Sequence, residues 1–208
     1  MICITGHVHI KGNRIVKDGK IVFENPEDST LRSFLKAAYK SAGIKYPKFY
    51  KMDGMSKIGF IAAEYLLDTE DFKGIDSEDT GIILSNAHAT LVTDKQHQQS
   101  IDTGEKIASP AIFVYTLPNI VTGEISIRHN LKGENAFFVT KEFQPGLMVR
   151  VINNLFLTGK MKAALAGWID ESEEGWHAFL YKVVQTDQTK DLAEHTPEKV
   201  KNIFETKI

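Results

Sequence analysis

One cysteine, Cys3, is all the thiol chemistry in this chain of 208 residues, which rules out an internal disulfide and a thiolate zinc cluster. No apolar run reaches the ~18 residues that a membrane-crossing helix requires, and the opening MICITGHVHIKGN turns polar too soon for a signal peptide. The expectation is a cytoplasmic protein with no membrane segment. A glycine-rich phosphate fingerprint, an internal repeat and a low-complexity tract are all missing, and no motif implies a cofactor. Charge is not massed in blocks, and a formal net charge of -2 gives no electrostatic case for binding nucleic acid or an anionic membrane. What is present is ordinary globular composition, 42% apolar and 25% charged, in a length that suits one domain or one domain with a small appendage.

The stretch Gly133 to Gly159, GENAFFVTKEFQPGLMVRVINNLFLTG, organises the rest. Asn135 to Thr140 is rich in β-branched and aromatic residues and reads as a short buried strand. Pro145 and Gly146 open a run with Leu147, Val151, Leu155 and Phe156 at helical spacing, where the missing proline NH has no partner to lose. Thr158-Gly159 suits a helix exit, and Met161 to Ile169 follows as another strand. The sharp turn between strand and helix is Lys141-Glu142-Phe143-Gln144. Free NH groups and the positive end of the helix dipole make such a turn a seat for a nucleophile or an anion.

Earlier in the chain, Ile2 to Ile10 reads as a strand and Ile15 to Phe23, with Asp18-Gly19 at its middle, as a hairpin. His7 and His9 share a strand face, which fits either a metal-ligand pair lacking an identifiable third donor or a core-edge pair. Pro26 to Ser29 marks a helix start, followed by an apolar face of Leu31, Phe34, Leu35, Ala38 and Ala42. Lys45 to Asp53 is basic and aromatic, the pattern of a packed surface loop more than of a nucleic-acid site in a chain of this charge. A second helix is predicted from Asp53 to about Leu67. Thr80 to Ser85 reads as a fully covered strand, and His88 follows its end, where α/β sheets handle ligands. His88 is therefore either a loop hydrogen-bonder or a chemical group. Asp94 to Lys106 is polar and reads as a surface helix or long loop, and a helix is predicted from Asn119. Asp170 to Gly175 is an acidic turn before a last strand, Trp176 to Val184, and Thr196-Pro197 opens a terminal helix to Phe204. Strands alternating with helices predict an α/β layered domain.

These residues resemble the N-terminal half of a β-ketoacyl-acyl-carrier-protein synthase, a condensing enzyme of thiolase fold. Ser109-Pro110, Thr116, Asn119, Gly123 and Gly133 stand without a gap at the separations of that family's helix and nucleophile strand. KMKAALAGWIDE is similar to its following strand, YKMDGMSKIGFIAAEYLL to its first long helix, and TGIILSNAHATL to its second strand and glycine-rich loop. The likeness runs from residue 1 to about 185. It implies a single thiolase-like half, a layered mixed sheet covered by helices over 1–208, with 186–208 a helical extension.

In this register the family's nucleophilic cysteine falls on Glu142, and Ala87 and Ile112 fall on the lining of its acyl tunnel. A carboxylate is a poor nucleophile toward a thioester and would form an anhydride, not a transferable acyl thioester. The resemblance thus implies a non-catalytic, synthase-like protein acting as a partner or acyl-chain-binding subunit in fatty-acid, polyketide or polyene assembly. The alternative is a decarboxylase or hydrolase using Glu142 as acid or base, which needs a dry pocket. The implied partners are a second copy of this chain or a synthase subunit, joined through the Asn135 to Thr140 strand, and an acyl carrier protein. A lone half-fold leaves an apolar face to be covered, by the terminal helix or by a partner.

Overall fold

The computed structural model describes residues 1–25, 30–68, 71–103, 109–187 and 192–206. The expected helix start Pro26 to Ser29 and the last residues of the polar segment, 104–106, lie outside them. The chain opens with β1 (Ile2–Lys11), β2 (Arg14–Lys17) and β3 (Lys20–Glu24). Asp18 and Gly19 join β2 to β3 with φ of 49° and 78°, the pair of positive angles that a tight hairpin matched to strand twist demands. Helix α1 (Leu31–Ser41) is capped by Thr30, whose hydroxyl accepts the Ser33 NH at 3.3 Å. The Lys45 to Asp53 connection forms a 3-10 turn, Pro47–Lys51, anchored by buried Phe49. Helix α2 (Gly54–Leu66) starts at Asp53, which accepts the Ser56 NH at 3.0 Å.

Next come β4 (Thr80–Asn86), buried at every residue, α3 (Leu91–Asp102), the short α4 (Pro110–Phe113) and α5 (Ile120–His129). Then follow β5 (Asn135–Val139), α6 (Pro145–Leu157), β6 (Ala163–Ser172), β7 (Gly175–Gln185), β8 (Ala193–Glu194) and α7 (Pro197–Phe204). Thr196 caps α7 by accepting the Lys199 NH at 3.3 Å.

All the strands belong to one mixed sheet, ordered β3-β2-β1-β7-β6-β4-β5, with β8 also on β1. Strand β4 runs parallel to β5 and β6, whereas β6, β7 and β1 pair antiparallel. Period-two alternation divides the central strands between two apolar layers. Ile82, Leu84, Leu165 and Leu180 face α1, α2 and α5, while Ile83, Ala164, Ala166, Phe179 and Tyr181 face α6 and α7. In β1 the alternation breaks: Ile4 lies on the α6 side but Val8 and Ile10 on the other. A bulge between Ile4 and Gly6 adds one residue and flips the face.

The predicted buried strand at Asn135 is in fact the sheet's edge. Among the described residues only β4 pairs with it, and Val139 is 54% exposed. Its apolar content reflects two partly covered faces, which composition alone does not separate from full enclosure. The polar stretch from Asp94 is helical and begins earlier than expected, at Leu91.

Candidate functional site

Between β5 and α6 the chain bends sharply at Lys141 to Gln144, and the side chains alternate out and in. Glu142 and Gln144 are exposed, whereas Phe143 is buried. Its ring lies 4.5 Å from Phe204, 5.6 Å from Phe179 and 6.0 Å from Trp168, so the elbow is pinned to the sheet and to α7 at one aromatic residue. Glu142 is held by its backbone, its carbonyl accepting the Thr140 hydroxyl at 2.8 Å, and its carboxylate accepts the Gln144 amide at 3.4 Å. No side chain caps α6 among the described residues, so Glu142 stands in front of the helix without bonding its NH groups. An exposed carboxylate is also not in the dry pocket that acid-base chemistry would need.

Cys3 is fully buried on β1. Strands β7, β6 and β4 separate it from β5, four inter-strand steps or about 19 Å at ~4.8 Å each. Ala87 packs half-buried into the apolar layer that contains Phe143. Ile112 is half-buried on α4 and is not part of that layer, so the structure does not bring the two expected lining residues into one cluster. His7 and His9 do share a face, with ring centroids 5.8 Å apart, and His9 packs between Phe179 and His177.

A polar constellation lies at the ends of β4 and β6. Asp170 accepts the backbone NH groups of Ala87 and His88 with one oxygen, each at 3.1 Å, and holds His88 Nδ1 at 2.8 Å with the other. This fixes the His88 ring with Nε2 as its remaining nitrogen. The sequence reading singled out His88 but not Asp170; the signal was the acidic end of the strand beside β4.

Close by, α1, α2 and the 3-10 turn enclose a cleft of 510 Å³ lined in part by Arg32, Lys36, Tyr50, Asp53, Lys57 and Glu171. Burial, reinforced by neighbouring Asp53, pushes the Glu171 carboxyl up to about 7. Asp53 is also raised by burial, against the bonds it accepts from Ser56 and from the Thr93 hydroxyl at 2.9 Å. Gly54 gives the Glu171 carboxyl its room, because a side chain there would occupy the same space.

No protein-family model matches the chain, and no curated protein matches it. Solved structures do. The ishigamide ketosynthase/chain length factor matches with a TM-score of 0.62 at 16% identity, over 91% of this chain and 63% of that one. A type II polyketide ketosynthase, solved with its acyl carrier protein, matches with 0.62 at 13% identity, over 90% and 63%. A β-ketoacyl synthase from Burkholderia phymatum STM815 matches with 0.60 at 13% identity, over 91% and 60%. At such identities the likeness is one of fold. The chain therefore has a ketosynthase-like thiolase fold and spans about three-fifths of the length of these solved chains.

Proposed function

We propose that this chain, built on the ketosynthase-like thiolase fold, is a non-catalytic subunit that partners a synthase in polyketide, polyene or fatty-acid assembly. One observation carries the reading: an exposed carboxylate, Glu142, stands at the strand-to-helix elbow where the family register has the nucleophilic cysteine. The sole thiol is buried four strand steps away. The domain is a single synthase N-terminal-like unit over 1–208, with the 186–208 extension supplying α7. In the single chain Glu142 is exposed, which does not favour the repurposed-enzyme reading.

The second copy or synthase subunit joins at the open edge of β5. A two-fold antiparallel pairing centred on Phe137 sets Asn135 opposite Val139 and Lys132 opposite Glu142, so like charges do not meet. Such a contact gives Glu142 a structural task in place of a chemical one. For an acyl carrier protein, the favourable face is α1 and the segment after it. Between Thr30 and Lys57 the only acidic residue is Asp53, and exposed Arg32, Lys36 and Lys40 form one stripe at four-residue spacing.

Incubation with acyl-carrier-protein thioesters followed by intact-protein mass measurement tests this function. The expected result is an unmodified mass, and a stable acyl adduct would overturn the reading.

A further inference from the structure

Helix α7 is fastened at both ends by buried histidines. At its C-terminal end the Ile203 carbonyl accepts from His9 Nε2 at 3.2 Å. That bond requires the proton on Nε2, which leaves Nδ1 of the neutral ring bare, and Nδ1 is buried with no partner among the described residues. Among the described residues, the groups that act most on the charge of His9 are His7 and Lys11 on its own strand and His177 on β7, none of them a carboxylate. Asp18 faces His7, and Asp170 and Lys11 face His177.

Just ahead of the helix, His195 donates from Nδ1 to Asn153 of α6 at 2.7 Å, and its Nε2 faces the Tyr181 hydroxyl of β7 at 3.3 Å. A second proton on His195 would be buried with no anion beside it among the described residues, and would take away the acceptor that the tyrosine uses. Between these two ends, buried Val200 and half-buried Phe204 pack α7 onto the layer beneath, Phe204 directly against Phe143 of the elbow. Burial thus disfavours a charge on either ring while α7 is docked, and at His9 it outweighs the Ile203 bond, which by itself favours the proton.

We propose that α7 is an acid-released latch: protonation of His9 and His195 undocks the helix, uncovering the sheet face around Phe179 and Tyr181 and freeing the Phe143 elbow. Released, both rings meet water and titrate normally, whereas docked they resist the proton because burial lowers them, to about 3 for His9 and about 4 for His195. Linkage then gives an opening equilibrium about 20- to 25-fold larger per histidine at about pH 5 than at about pH 7. This reading is independent of the proposed function, since its test follows α7 and not any acyl transfer.

Hydrogen exchange resolved by peptide, corrected for intrinsic rates and run near neutral pH and near pH 5, is the experiment. Residues 192–206 should lose protection selectively in acid while β4 and β6 keep theirs. H9Q retains an amide donor for the Ile203 carbonyl but cannot become charged, so the H9Q/H195Q protein should keep α7 protected in acid. Equal protection of α7 at both pH values, simultaneous loss across the whole sheet, or unchanged acid sensitivity in H9Q/H195Q would each overturn the latch. Should that variant not fold, histidine NMR titration of the unaltered protein decides: rings that protonate while α7 stays protected also refute it.

Discussion

Glu171→Gln should stabilise this protein, and only at the alkaline side of its range. The carboxyl sits over Gly54 beside Asp53, and burial lifts it from its ordinary 4.5 to about 7. Between those values the folded state holds a proton that the unfolded chain releases, so stability falls as pH rises through that window. The penalty is complete above about pH 7 and vanishes below about pH 4.5, and a shift of this size corresponds to ~3 kcal/mol. Glutamine keeps the shape and the acceptor oxygen for the Met55 NH, but adds an amide NH2 that the site was not built to satisfy, at a cost of about 1 kcal/mol. The expected net gain is ~2 kcal/mol near pH 8, with no gain or a slight loss near pH 4.5. Urea denaturation across that range gives both numbers directly. A variant whose stability tracks the parent at every pH would refute the picture of Glu171 as a strained, partly protonated group.

Other outcomes follow from the same geometry. Phe143→Ala removes the ring that joins the elbow to Trp168, Phe179 and Phe204, and should cost ~3–4 kcal/mol in urea denaturation while loosening α7 in hydrogen exchange. Val139→Lys places a cation on the exposed edge of β5, so light scattering should read a monomer for the variant and a dimer for the parent, with unchanged circular dichroism. A clean monomer in the parent would remove the edge contact altogether. Replacing Arg32, Lys36 and Lys40 by Glu should weaken acyl-carrier-protein binding at least about tenfold and abolish its salt dependence, as measured by titration calorimetry. Unaltered affinity would exclude α1 as the docking face.

Local chemistry was legible wherever a residue acts on its own backbone. Asp53 and Thr196 appear in the sequence as helix starts and are caps in the structure, and Asp18-Gly19 is a hairpin turn in both. The elbow itself could be located to within a residue, because Pro145 cannot sit deeper in a helix. What was hidden depends on partners distant in sequence. Asp170 acquires meaning only when β6 lies beside β4, and Glu171 only when it meets Gly54 across the fold. The bulge that sends Ile4 and Val8 to opposite layers leaves no local mark, since Ile4, Val8 and Ile10 keep one unbroken period-two pattern in the sequence. The role of His9 likewise waits on an acceptor 194 positions away.

The proposed function depends on the position of Glu142, and a thiol placed there reads that position out. E142C, K141C and Q144C, each in a Cys3→Ala background, should be incubated with an acyl-carrier-protein thioester and followed by intact mass. A thiol in a nucleophile's seat at a helix start is acidified and aimed, so E142C should acylate at least about tenfold faster than either neighbour. Equal rates at all three positions would contradict the placement of Glu142 and the function built on it.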